Sequence, residues 1–303
     1  MKLHDLHVLM TVVRAGSMGK AAQRLNTVQP AISRSIAELE HALGVRLLDR
    51  HRQGVEPTEY GRALLECGTA VFDDLRQGLK NIEFLADPSA GEMRIGCTHF
   101  VSASFVPAII DQLSHRYPRI AFHVIAGNNE ALHRDLQERN VDLLVTWKAS
   151  RFADEQLGFE LLFNDFHVIA ASAQNAWARR RKIELADLMN ERWALPPPES
   201  ELGAIAKRAF RARGLDYPHA TVSSFPTEVR ISLLATGHFL TIVPDSALRF
   251  PVRRAEIKAL PIELPSARVP VGIVRVKNRT LSPVARLFIE TAHAIAKPLA
   301  GRN

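Results

Sequence analysis

A chain of 303 residues, 47% hydrophobic and 23% charged, is long enough for about two domains, and this composition excludes a disordered or fibrous protein. The N-terminus mixes His and Asp into its apolar residues and no run approaches the roughly 18 apolar residues of a membrane span, so a cytoplasmic protein is expected. The net charge of +7 is not in itself an argument for nucleic acid: residues 1–90 hold 11 Lys+Arg against 11 Asp+Glu, and residues 91–303 hold 28 against 21, so any case for DNA rests on local arrangement.

The first elements are short and helical. Leu6, Leu9, Met10 and Val13 follow the spacing of one buried helical face, with Gly16 where a helix over 3–14 would stop. Ser17 is placed to cap a second helix, MGKAAQRL, whose Ala21, Ala22 and Leu25 form a small apolar face. Asn26 and Thr27 make a turn, and Thr27 is the expected N-cap of a third helix beginning at Val28. That puts Pro30 in the first turn, where the N–H it lacks would have had no intrahelical partner.

At ~100° per residue, Ile32, Ile36, Leu39 and Leu43 of this third helix point inward. Pro30, Arg34, Ala37 and His41 point away, with Ser33 at the margin and Gln29 in the exposed first turn. Gln pairs with adenine edges, Arg grips guanine or phosphate, and Ser bonds bases or backbone. Two helices joined by a tight turn, the second offering such a face, make a helix-turn-helix. Periodicity alone leaves open a three-helix unit whose polar face merely meets water. The following VRLLDRHRQGVEPT reads as two short strands around a Gly, with Arg46, Arg50, His51 and Arg52 near the tip, as in a wing that reaches phosphates.

The run GSMGKAAQRLNTVQPAISRSIAELEHALGVRLLDR…GVEPTEYG closely resembles the N-terminal domain of the LysR-type transcriptional regulators. The match covers about 60 successive residues: a Ser before an Ala-Ala helix, Gln-Pro-Ala-x-Ser, a Leu-Glu pair, Leu-Gly, an Arg after a Leu pair, and Thr-x-x-Gly. Leu48 stands where the family usually carries Phe, and Met18-Gly19 replaces a more usual Phe-Thr. The resemblance implies a winged helix-turn-helix over 1–58. Ser17, Lys20, Thr27, Gln29, Pro30, Ser33, Arg34, Arg50 and Arg52 would face double-stranded promoter DNA.

From Thr58 to Ala86 there is no proline. Leu64, Gly68, Val71, Leu75, Gly78, Ile82 and Leu85 are spaced 4,3,4,3,4,3, a narrow heptad seam on a helix of about 40 Å. A helix packed on its own domain would show a similar stripe. The family resemblance implies instead a linker and dimerisation helix, residues 59–88, that pairs two subunits, with a dimer of dimers as the expected homo-oligomer. Asp87 to Gly91 reads as the hinge into residues 89–303.

Strand-like and helical stretches then alternate, which predicts an α/β domain with a largely parallel sheet. EMRIGC, IAFHVIAG and VDLLVTW are strands separated by helices at SFVPAIIDQLSHRYP and NEALHRDLQERN. FHVIAAS, a helix around ELADLM, RWALPPP, the helix AIAKRAFRARG, ATVSS, the helix TEVRISLLATG and FLTIVP follow, before VPVGIVRV and a closing helix. The pattern resembles the two-lobed, periplasmic-binding-protein-like effector domain of the same family. Lobe I would comprise 91–163 plus 268–303, and lobe II 164–267.

Ligands of open parallel sheets sit beyond the carboxyl ends of strands, near helix N-termini that favour anions. Thr98, His99 and Ser102, then Thr146 and Trp147, then Ser224 and Thr227 qualify as effector-binding residues, and a small carboxylate is the expected effector. Each hydroxyl alone would serve as a plain helix cap; their convergence is what the resemblance implies. Cys67 and Cys97 lack metal-ligand spacing and read as reduced thiols, so neither a metal nor a cofactor is expected.

Two other classes of protein make different demands on the sequence. An enzyme would need a catalytic motif, and there is no Gly-x-Ser-x-Gly, His-Glu-x-x-His or Gly-x-x-x-x-Gly-Lys. His99 could act as a general base, but with no identified orienting acid it reads as a ligand contact or a satisfied polar residue. A transport solute-binding protein would account for residues 91–303 but not for the first ninety.

Overall fold

The computed structural model describes residues 2–51, 54–147, 155–250, 257–264 and 268–300. The chain divides into two compact units, Met1–Leu79 and Lys80–Asn303.

In the first unit, α1 (Leu3–Ala15) ends at Gly16 in the left-handed conformation, which glycine adopts without steric cost. Ser17 caps α2 (Met18–Arg24) as expected, its Oγ accepting from Lys20 N at 3.2 Å. The next helix, α3, spans Gln29–Leu43 with Val28, not Thr27, at the N-cap. The cause lies in the turn. Asn26 is left-handed and Thr27 N bonds back to Ala22 O at 2.9 Å, so Thr27 closes α2 and cannot open α3. Ile32, Ile36 and Leu39 are buried as the periodicity requires, but Leu43 is 42% exposed. It is the last helical residue, and the chain turns at left-handed Gly44 before a neighbour can cover it.

The wing consists of β1 (Leu48–His51) and β2 (Gly54–Pro57), paired antiparallel. Several family-like residues have visible work here. Glu40 Oε1 accepts from Leu47 N at 2.7 Å and Leu48 N at 3.2 Å, fixing the wing to α3. Thr58 Oγ1 donates to Arg46 O and accepts from Gly61 N at 3.1 Å, and a Cβ on Gly61 would overlap Leu47 O. The Thr-x-x-Gly spacing is therefore the contact between the wing base and the following helix.

That helix, α4 (Glu59–Ala86), splits the heptad seam read from the sequence. A Cβ on Gly68 would press on Leu6 and Met10 of α1, and Leu64 packs into the unit's own core. The first half of the seam thus serves α1. The second half is open: Leu75, Ile82 and Leu85 of the seam, and Leu79 beside them, are between 51% and 80% exposed.

Among the described residues, the second unit holds two five-stranded sheets. The first is built from β3 (Ala90–Thr98), β4 (Arg119–Gly127), β5 (Leu143–Trp147), β6 (Leu157–Asp165) and β12 (Val269–Val276), in the order β4-β3-β5-β12-β6. The short helix α5 (His99–Ser102) leads into α6 (Phe105–Arg116); α7 (Asn129–Gln137) follows β4, and α10 (Pro283–Ala300) closes the chain. The second sheet contains β7 (His167–Ser172), β8 (Trp193–Leu195), β9 (Ala220–Ser223), β10 (Leu240–Pro244) and β11 (Ile257–Ala259), in the order β11-β7-β10-β8-β9. Helices α8 (Glu201–Arg211) and α9 (Thr227–Ala235) belong with it.

Neither sheet is largely parallel. β12 runs antiparallel to both β5 and β6, and β7 antiparallel to both β10 and β11. The reason is the double crossing: the chain leaves the first sheet through β6 and returns to it in β12, so the returning strand enters against its neighbours. The stretch around ELADLM is only a single turn of 3₁₀ helix at Leu185–Leu188.

Candidate functional site

Two places gather the polar side chains singled out in the sequence. The first is the amino end of α3. Pro30 sits in its first turn, stiffening the backbone without losing an intrahelical bond. Gln29, Pro30 and Arg34 are exposed. Ser33 is half-buried, and its hydroxyl donates to Met18 Sδ at 3.2 Å, which leaves its lone pairs to accept. The Met18-Gly19 pair thus shapes this surface: Met18 is buried beneath Ser33, and a Cβ on Gly19 would stand 3.5 Å from Gln29 Oε1. Ser17 is committed to capping, while Lys20 and Thr27 lie exposed on the same approach. On the wing, Arg46, Arg50 and His51 are exposed; Arg52 lies outside the described residues. Arg34 and Arg50 stand in no ion pair among the described residues, so their charge is available to a polyanion.

The second place is a cleft of about 480 Å³ between the two sheets of the second unit, a size suited to a small organic molecule. Of the expected residues, Thr98, His99, Trp147 and Thr227 line it. The other three do not. Thr146 is fully buried behind the wall, donating to Asn129 Oδ1 at 2.8 Å and so orienting that amide. The Ser102 hydroxyl donates to His99 O and to Glu228, and Ser224 Oγ bonds Pro226 O.

Phe225, inside the 223–227 stretch, also faces the cleft, whereas the sequence reading missed Gly127 to Glu130, His133, His167, Pro196, Glu201 and Leu202. Gly127 to Glu130 end a strand and open α7, so the strand-end rule already applied at Thr98 would have found them. His167 carried no such signal, because it begins a strand that runs antiparallel to its neighbours.

The two walls also touch. Asn129 Nδ2 donates to Glu201 Oε2 at 3.3 Å, Ser102 Oγ approaches Glu228 Oε1 at 3.4 Å, and the His99 and Phe225 rings meet edge to face at 5.4 Å. Three helices of nine or more residues, α7, α8 and α9, start at the cleft, turning their partly positive N-termini toward it. Burial, then the nearby charge of Arg230, lowers the His167 pKa to about 4, so its imidazole is neutral at pH 7. Asp165, at the crossing from β6 to β7, accepts from Phe166 N and Ser246 N, yet burial raises its pKa to about 6.

Comparison with known proteins gives a family match over each part of the chain. Residues 3–62 match the family described as bacterial regulatory helix-turn-helix protein, lysR family, and residues 86–296 match the LysR substrate binding domain. The chain is similar to the transcriptional dual regulator GltC of Bacillus subtilis, 26% identical over 96% of each chain. It is equally similar to the HTH-type regulator YybE of the same organism, 26% identical over 95% of this chain and 97% of that one. Among solved structures, full-length OxyR from Pseudomonas aeruginosa superposes with a TM-score of 0.68 at 19% identity, covering 100% of this chain and 99% of that one. CbnR in complex with its target DNA gives 0.53 at 21% identity, covering 98% and 100%.

Proposed function

Since the chain belongs to the LysR family of bacterial helix-turn-helix regulators, we propose that it binds promoter DNA sequence-specifically and that a small anionic effector, held in the cleft, modulates that binding. The observation that carries the DNA half is the amino end of α3: an exposed Gln29 and Arg34 on a proline-stiffened turn, with a wing anchored beside it by Glu40. Gln29, Ser33 and Arg34 read base edges and backbone in the major groove, while Arg50 meets phosphate. That CbnR was solved on its target DNA supports the same use of the same fold.

Residues 1–58 are the DNA-reading domain, 59–88 the linker helix, and 89–303 the effector domain, with lobes at 91–163 plus 268–303 and at 164–267. The open stripe of Leu75, Leu79, Ile82 and Leu85 is where two copies of α4 pair, which spaces two recognition helices for an interrupted palindrome. Two such dimers assemble into the tetramer. The effector reading rests on the cleft and on the helix N-termini that open into it. Effector binding shifts the balance of subunit arrangements and so the bend of the bound DNA. The protein works in the cytoplasm, as a regulator and not as an enzyme, in keeping with relatives that are regulators.

Footprinting on the DNA upstream of the protein's own gene tests the first half. Two protected half-sites on one face of the helix are expected, and a uniform, unphased loss of cleavage would count against it.

A further inference from the structure

Behind the Thr227 wall of the cleft lies a charge that the fold leaves unanswered. Arg230, in the first turn of α9, is fully buried. Its Nη2 donates to Thr227 Oγ1 at 3.0 Å, but Nε and Nη1 have no hydrogen-bond partner among the described residues. Arg279 shows what a satisfied buried guanidinium looks like in this protein: it meets Asp142 Oδ1 at 3.2 Å and the carbonyls of Val141 and Asp142 at 2.8 Å. An unpaired buried cation is a substantial burden on a marginally stable domain. Burial accordingly lowers the Arg230 pKa to about 10, which still leaves it charged at pH 7. Of the two groups whose fields reach it, the Tyr217 hydroxyl donates to Pro196 O at 2.8 Å, and Glu228 is exposed and directed at Ser102.

The side chains around Arg230 give the cleft two unlike ends. Thr227, which Arg230 touches, and neutral His167, which feels its charge, both line the cleft. Glu130 and Glu201, in the first turns of α7 and α8, line it as well, and Glu201 is held toward the opposite wall by Asn129. An anion near Thr227 would be attracted, and a second anionic group reaching Glu130 or Glu201 would be repelled. Trp147, Leu202 and Phe225 supply apolar surface.

We propose that Arg230 is the charge that selects the effector, and that the effector is an organic monoanion. Its one carboxylate seats against Thr227 and His167 in the field of Arg230, and its uncharged body lies among Trp147, Leu202 and Phe225. This rests on the reading of the cleft as the effector site and narrows it: a dicarboxylate is rejected by Glu130 and Glu201, and a neutral isostere leaves Arg230 uncompensated.

Thermal unfolding of the full-length protein tests this with benzoate, benzamide and terephthalate, each against chloride at matched ionic strength. Benzoate is expected to raise the wild-type Tm by about 2 °C or more, and the other two are not. Arg230→Met is expected to melt no lower than wild type in chloride and to lose the benzoate rise. The proposal is overturned if benzamide matches benzoate, if terephthalate exceeds it, or if benzoate leaves the wild type unmoved. These arms need no variant, so a poorly folding Arg230→Met does not blunt them. A benzoate rise that persists in Arg230→Met but vanishes in Phe225→Ala removes Arg230 from the account and keeps the cleft. A rise that survives both substitutions removes the cleft as the effector site as well.

Discussion

Glu40 is the residue on which the winged unit most visibly depends. One carboxylate oxygen takes the backbone N–H groups of Leu47 and Leu48, at 2.7 and 3.2 Å, and both those residues are buried, at 1% and 3% exposure. Glu40→Ala therefore strands two N–H groups where water reaches them poorly. A hydrogen bond to a charged acceptor is worth about 1.5–3 kcal/mol. Because Glu40 itself is only half-buried, solvent recovers part of that, and the total loss should be about 2–4 kcal/mol. Glu40→Gln keeps an acceptor oxygen and should lose only about 1 kcal/mol. The two units need not unfold together, so a melting curve of the whole protein would not assign the loss to the wing. Amide hydrogen exchange on the full-length protein, followed in peptides containing Leu47 and Leu48, reports the local opening energy directly. If Glu40→Ala exchanged there at the wild-type rate, or no faster than Glu40→Gln, the wing would be held by something else.

Further outcomes follow from the same geometry. Arg34→Ala should weaken operator binding by ~1–3 kcal/mol and relax preference at one position; unchanged affinity in fluorescence anisotropy would mean α3 is docked differently. Arg50→Ala should weaken binding to all sequences alike and reduce the slope of log K against log salt by about 0.9, and a loss confined to one base pair would contradict a phosphate contact. Asp165, with its pKa raised from 3.8 to about 6, favours folding when protonated, below about pH 4, and loses that contribution as pH rises through 6. Above that its buried charge costs up to about 3 kcal/mol. Asp165→Asn should therefore melt above wild type at pH 8, with the advantage shrinking toward pH 4; an advantage independent of pH would exclude ionisation as its source.

The elements that were readable from sequence are those whose signal is local. Ser17 caps, Gly16 stops a helix, and Ile32, Ile36 and Leu39 are buried because each obeys a rule satisfied within one turn of helix. The residues misread answer to partners distant in sequence. Gly68 reads from sequence as one step of a pairing seam because nothing nearby reveals that a side chain there would press on Leu6 and Met10. Thr146 has the composition of a strand-end ligand contact, but its hydroxyl is spent on Asn129. The antiparallel entry of β12 follows from a return across more than a hundred residues, and no spacing rule reaches that far. Arg230 was invisible for the same reason: Arg in the first turn of a helix ordinarily faces water, and only the fold shows it buried.

What matters most is whether this protein distinguishes one DNA sequence from another. The direct measurement is competition at about 150 mM salt between its footprinted promoter fragment and a scrambled duplex of the same length and composition. A specific regulator should prefer the former by roughly 10³-fold or more, and Arg34→Ala should erode that ratio. Equal affinity for the two duplexes would leave the amino end of α3 as a solvated helix start, with no reading role.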